Sequence, residues 1–98
     1  MKIRTILWTP DRIAHIARHN ISAEEVEEAV FDMPNACVET LKKAEKYPKE
    51  KIYRCLAVTE AGRYITFIFI YKGGAAAFPV TARDMTDAER RYYREKKR

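Results

Sequence analysis

The chain has 98 residues, a net charge of +5 and 47% hydrophobic residues, enough for one compact core and one domain. Three glycines and four prolines leave no room for a long flexible linker, and no apolar run reaches the roughly 20 residues of a membrane span. The two cysteines, Cys37 and Cys55, stand singly in strand-like contexts, and no signal-peptide pattern opens the chain, so a reducing, cytoplasmic setting is expected.

Ile3 to Trp8 reads as a short first strand. Thr9 then caps a helix with Pro10 at its first position, where a missing N–H costs nothing. Trp8 and Ile13 are spaced as a hydrophobic staple. Ile13, Ile16 and Ala17 make one apolar face, with Arg12, His15 and His19 on the opposite side. Asn20 is expected to end this helix in a left-handed conformation. Ser22-x-x-Glu25 is a capping box, with Ile21 and Val26 as its staple. Val26, Ala29 and Val30 form the buried stripe of the second helix, and Pro34 stops it.

From there the apolar period changes to two. Ala36 to Leu41 reads as a strand, followed by a basic loop through Pro48. Ile52–Thr59 and Arg63–Lys72 read as strands joined at Glu60-Ala61-Gly62. The stretch "YITFIFIY" is apolar on both faces and so belongs in the middle of a sheet. Gly73-Gly74 makes the next tight turn. Ala75 to Ala82 is the last strand, where Pro79 implies an edge or a bulge. Thr86-x-x-Glu89 caps a final helix. The order β-α-α-β-β-β-β-α predicts a single α+β domain over residues 1–98 with a mostly antiparallel sheet.

The charge is uneven. Glu24, Glu25, Glu27 and Glu28 form an acidic block, whereas Lys42–Lys51 and Arg83–Arg98 are basic. Such asymmetry suits a domain with one anion-binding face. His15 and His19 stand four apart, yet no further ligands complete a zinc set, so no metal is expected. His19 remains available as a proton carrier near neutral pH. There is no phosphate loop, Rossmann glycine pattern or paired-carboxylate signature, and no cofactor is expected. Cys37 and Cys55 read as core fillers.

Arginine at strand positions stands out. Arg54 interrupts an apolar strand, Arg63 begins the central one and Arg83 ends the last. Strands beside a core rarely carry arginine unless its guanidinium reaches water, pairs or binds an anion. Three on one small sheet, followed by a helix rich in Arg and Tyr, favour phosphate recognition. A three-residue loop at Glu60-Ala61-Gly62 with a two-residue turn at Gly73-Gly74 puts Arg54 and Arg83 on one face. A two-residue turn at Ala61-Gly62 separates them. The sequence leaves both registers open.

These residues carry a resemblance. "HIARHNISAEEVEEAVFD", "YRCLAVTEAGRYITFIFIY" and "PVTARDMTDAERRYY" resemble, in order and over nearly the whole chain, the BrnT-type toxins of bacterial type II toxin–antitoxin systems. Those are small ribonucleases with a RelE-like fold. Two departures are Asn20, where the family usually has Gly, and the lysine-rich Leu41–Lys51 loop, which lacks the usual acidic content. The resemblance implies a metal-independent endoribonuclease that inhibits translation, acts on RNA free or ribosome-bound, and is neutralised by a cognate antitoxin protein. It implies catalytic roles for Arg54, Arg83, His19, Glu89 and Tyr93. Arg63, Arg90 and Arg94 then contact RNA, and Tyr92 is the neighbouring tyrosine, with a core position as the alternative since it shares a face with Ala88. His19 or Glu89 is the candidate base, and Tyr93 or His19 the candidate acid. The alternatives are a non-catalytic nucleic-acid-binding or repressor-like module, or an adaptor whose acidic second helix docks a basic partner.

Overall fold

A computed structural model describes residues 3–32, 36–43 and 51–96. The expected helix stop at Pro34 and most of the basic loop through Pro48 fall outside the described residues; Lys42 and Lys43, expected in that loop, extend β2 (Cys37–Lys43) instead. The elements are β1 (Thr5–Ile6), α1 (Pro10–Ala17), α2 (Ala23–Glu27, continued by a π-helical turn Glu28–Asp32), β2 (Cys37–Lys43), β3 (Lys51–Val58), β4 (Tyr64–Tyr71), β5 (Ala76–Asp84) and α3 (Asp87–Lys96). They form one α+β domain around a five-stranded sheet in the order β1-β5-β4-β3-β2. All neighbours are antiparallel except β1 and β5, which run parallel. No helix among the described residues is long and apolar enough to cross a membrane.

The strand that is apolar on both faces, β4, lies at the centre of the sheet and feeds a core on each side. On one face Ile65, Phe67 and Phe69 meet Cys55, Ala57 and the buried residues of the first two helices, Ile16, Val26 and Ala29. On the other, Leu56, Met85 and Tyr93 form a smaller core under α3. All three predicted helix starts are present, at Thr9, Ser22 and Thr86. Ser22 and Glu25 exchange the two hydrogen bonds of a capping box, and Asn20 takes a left-handed φ of 59°.

The first strand is shorter than its sequence implies. Only Thr5 and Ile6 pair with β5, because the Trp8 N–H turns back to the Ile6 carbonyl. Beyond Ala77 the outer edge of β5 therefore has no strand beside it, and α1 covers it instead. Arg12 donates from Nη1 to the Val80 carbonyl at 2.9 Å, and His15 Nε2 lies 3.0 Å from the Thr81 hydroxyl. The predicted polar side of α1 is thus the side that meets this edge, while Ile13 is 44% exposed and only Ile16 of the apolar trio is buried. An open strand edge needs donors, and this requirement overrides the apolar stripe in orienting the helix.

Both turns bear on the register. Thr59 and Arg63 close a three-residue loop at Glu60-Ala61-Gly62, with Gly62 at φ 87°. The next turn sits one residue later than predicted: Gly74 and Ala75 are its central residues, at φ 67° and 57°, and Ala76 N–H donates to the Gly73 carbonyl. A register shift follows between Ile68 and Phe69, where Val80 is the extra residue on β5 beside Pro79. This is the bulge that Pro79 implied. Its effect is to set Arg83 opposite Thr66, on the same face as Arg54, which lies opposite Ile68.

Phe67 is fully buried, stacked on Phe69 at a centroid distance of 5.2 Å and tilted against Trp8 at 6.1 Å. Phe67→Ala should cost about 3–5 kcal/mol of folding free energy, visible as a lower midpoint in urea unfolding with an unchanged m-value.

Candidate functional site

The sheet face under α3 carries the charged centre of the molecule. Glu89, in the first turn of α3, is only 6% exposed, yet its carboxylate accepts from five donors. Oε1 accepts from Thr66 Oγ1 at 3.0 Å, Arg83 Nη1 at 2.7 Å and Thr86 N–H at 2.8 Å. Oε2 accepts from Arg83 Nη2 at 3.1 Å and Arg54 Nη1 at 3.3 Å. Thr86 Oγ1 returns the cap by accepting from Glu89 N–H at 3.1 Å. One side chain therefore caps α3, holds Arg83 in a bidentate pair and reaches two further strands.

Burial pushes the Glu89 carboxyl up, but the Arg83 guanidinium, the Thr86 amide and the Thr66 hydroxyl outweigh it and hold it at about 2. Arg83 is correspondingly raised, chiefly by its bond to Glu89. Both remain ionised across the physiological range.

Arg54 extends the cluster outward. Its Nη2 donates to Glu39 Oε1, and Glu39 lies directly opposite Arg54 in the β2–β3 register. The other Glu39 oxygen accepts from the Tyr92 hydroxyl at 2.7 Å, and the Arg54 Cζ sits 5.6 Å from the centre of the Tyr92 ring. Arg54 Nε is buried with no hydrogen-bond partner among the described residues.

Beside this centre, α3 presents Arg90, Arg91 and Arg94 along a shallow depression that also includes Asp87. The Arg90 and Arg94 guanidinium carbons lie 4.6 and 5.6 Å from the centre of the Tyr64 ring. Tyr64 in turn meets Tyr93 edge-on at 5.9 Å. Among the described residues no carboxylate pairs with these three arginines. Aromatic contact orients two of them without neutralising either, a state suited to capturing an anion.

The remaining residues singled out from the sequence go elsewhere. Arg63 donates to Asp84 Oδ1 at 2.8 Å, the Asn20 carbonyl at 2.5 Å, Glu25 at 3.3 Å and the His19 carbonyl at 3.1 Å. It ties the α1–α2 connection to the end of β5, and its bond holds the Asp84 carboxyl below the usual range. The His19 ring is exposed beside His15, centroids 5.7 Å apart, and makes no hydrogen bond to Arg54, Arg83 or Glu89. Tyr93 is 8% exposed in the small core, where burial raises its hydroxyl pKa. The tyrosine whose hydroxyl reaches the charged cluster is Tyr92, which also packs, half-buried, against the small core. Among the described residues no group of three His, Cys, Asp or Glu side chains gathers as a metal would require.

Glu39, Thr66 and Tyr92 are the members that reading the sequence missed. Thr66 left a signal, as the single hydroxyl between apolar residues in "YITFIFIY". Glu39 left none, because its partner depends on a register set across the long β2–β3 connection.

Since folding lowers the Glu89 pKa from 4.5 to about 2, its stabilising effect is complete above pH 4.5 and is lost as pH falls through about 2. Glu89→Gln should remove that dependence. Urea unfolding of both proteins at several pH values between 2 and 6 should show the wild type losing stability on the order of 3 kcal/mol more than the variant.

No protein-family model and no curated protein matches the chain.

Proposed function

We propose that the domain is a metal-independent endoribonuclease of the BrnT toxin type, acting on RNA in the cytoplasm. The observation that carries this reading is the meeting of Arg54 and Arg83, from different strands, on one buried carboxylate beside three unpaired arginines. These are the arginines that the motif resemblance marks as catalytic. Their fixed forks suit the charge that develops on a phosphorane, and α3 supplies further arginines for neighbouring phosphates.

In this reading Glu89 orients the arginines and does not accept the proton, since a carboxylate held at about 2 is a weak base. Arg63 fixes the scaffold, and Tyr93 anchors α3 so that Arg91 and Arg94 face outward. A cognate antitoxin would neutralise the arginine face with an acidic or amphipathic segment, as charge complementarity favours. The second reading, a non-catalytic nucleic-acid-binding module, draws on the charge balance at the centre. Arg54 and Arg83 are matched there by Glu39 and Glu89, while the unpaired charge lies on α3.

Purified protein should cleave single-stranded RNA in EDTA. RNA left intact, with ribosomes present and absent, would favour the binding module. Arg83→Lys keeps a charge on Glu89 but loses the fork, and should lower kcat by roughly 100-fold while circular dichroism stays unchanged. Arg94→Ala should weaken RNA affinity and reduce its salt slope by about one charge, with kcat retained. Co-expression with the antitoxin should restore growth and give a single complex on gel filtration.

A further inference from the structure

We propose that Glu39 is the proton acceptor of this cleavage, and that an arriving phosphate switches it on by drawing Arg54 away from it. The proposal rests on the ribonuclease reading and names a residue and a trigger that the reading itself does not supply.

Among the described residues two carboxylates reach the site, and they differ in what is left for chemistry. The Glu89 side chain is 7% exposed and saturated by its five donors. The Glu39 side chain is 25% exposed and accepts from two groups, Arg54 and Tyr92. A carboxylate offers about four acceptor positions, so Glu39 has room for a substrate hydroxyl and Glu89 does not. Glu39 also stands on β2, the outermost strand, next to a register shift between Thr40 and Lys42. A quarter of its side chain is open to solvent. The His19 ring belongs to the α1 end of the molecule and makes no bond to this cluster.

Arg54 is shared. Nη1 points to Glu89 and Nη2 to Glu39, so a phosphodiester entering from solvent competes with Glu39 for Nη2. While Arg54 is bound to it, Glu39 Oε1 is occupied by a charged guanidinium donor. Once phosphate takes Nη2, that charge is spent on the ligand, and the Tyr92 hydroxyl keeps the freed carboxylate in place. Among the described residues the groups that face Glu39 are Arg54 from β3 and Tyr92 from α3, with Lys96 5.6 Å from the centre of the Tyr92 ring and the Arg83–Glu89 pair behind Arg54. The carboxylate is therefore clear of the guanidinium only with phosphate present.

The step balances. The 2′-hydroxyl gives its proton to Glu39 as its oxygen bonds to the adjacent phosphorus. The P–O5′ bond breaks with its electron pair, the 5′-oxygen takes a proton from water, and the protonated Glu39 returns its proton to the hydroxide so formed. The products are a 2′,3′-cyclic phosphate and a 5′-hydroxyl.

The test compares wild type with Glu39→Gln on a single-stranded RNA oligonucleotide and on its 2′-O-methyl counterpart, which binds but has no proton to give. Glu39→Gln should lower kcat by about 100-fold or more and abolish the acidic limb of the kcat/KM profile. Affinity for the 2′-O-methyl RNA should be equal or tighter, because the competitor for Arg54 has lost its charge. Cleavage within a few-fold of wild type, with the acidic limb intact, would overturn the proposal. So would loss of cleavage and affinity together with a lower Tm, which would make Glu39 a strut for Arg54. A wild type that cleaves no RNA, with or without ribosomes, removes the ribonuclease reading itself and this step with it.

Discussion

The carboxylate of Glu89 is the constraint on which the rest of the charged face depends. A buried anion is costly unless its hydrogen-bond capacity is filled, and here β3, β4, β5 and the N-terminus of α3 each contribute a donor. Filling it fixes several things at once. The helix starts at one place, it lies over one face of the sheet, and two guanidinium groups from different strands share a single point of attachment. The small core of Leu56, Met85 and Tyr93 follows from that docking, since these apolar residues alone could accept α3 at several angles.

The charge distribution is hierarchical as a result. Nearest the sheet, each positive group has a negative one, so the centre is close to neutral. Along α3 arginine is set against aromatic rings, which orient a guanidinium without neutralising it. The outer layer can attract a polyanion from a distance, and the inner layer can discriminate by geometry once the polyanion is near. Long-range attraction is screened over about 10 Å at moderate salt, so the two layers respond differently to ionic strength.

Much of the fold was legible in the amino acids. Helix starts at Ser22 and Thr86, the left-handed Asn20 and the central place of β4 all follow from local chemistry that acts within a few residues. Arg54 and Arg83 were legible as anomalies, because an arginine inside an apolar strand requires a reason. What escaped was non-local. The partner of Arg54 on β2 depends on a long connection, and the orientation of α1 depends on how little of β5 is covered by β1. Which of Tyr92 and Tyr93 sends its hydroxyl to the charged cluster was not legible, because adjacent helical residues differ by about 100° in direction and a small rotation of α3 decides it.

The bulge at Val80 reaches beyond this one chain. Ala77 and Ala82 both face the larger core although they are an odd number of residues apart, which an unbroken strand forbids. The strand thus consists of two short alternating segments with independent phases, joined at a single residue. Loss of that residue in a related sequence would leave the composition of the strand almost untouched and turn Arg83 into the opposite core. Matching relatives by residue identity alone would overlook the change; counting residues between Pro79 and the arginine would detect it.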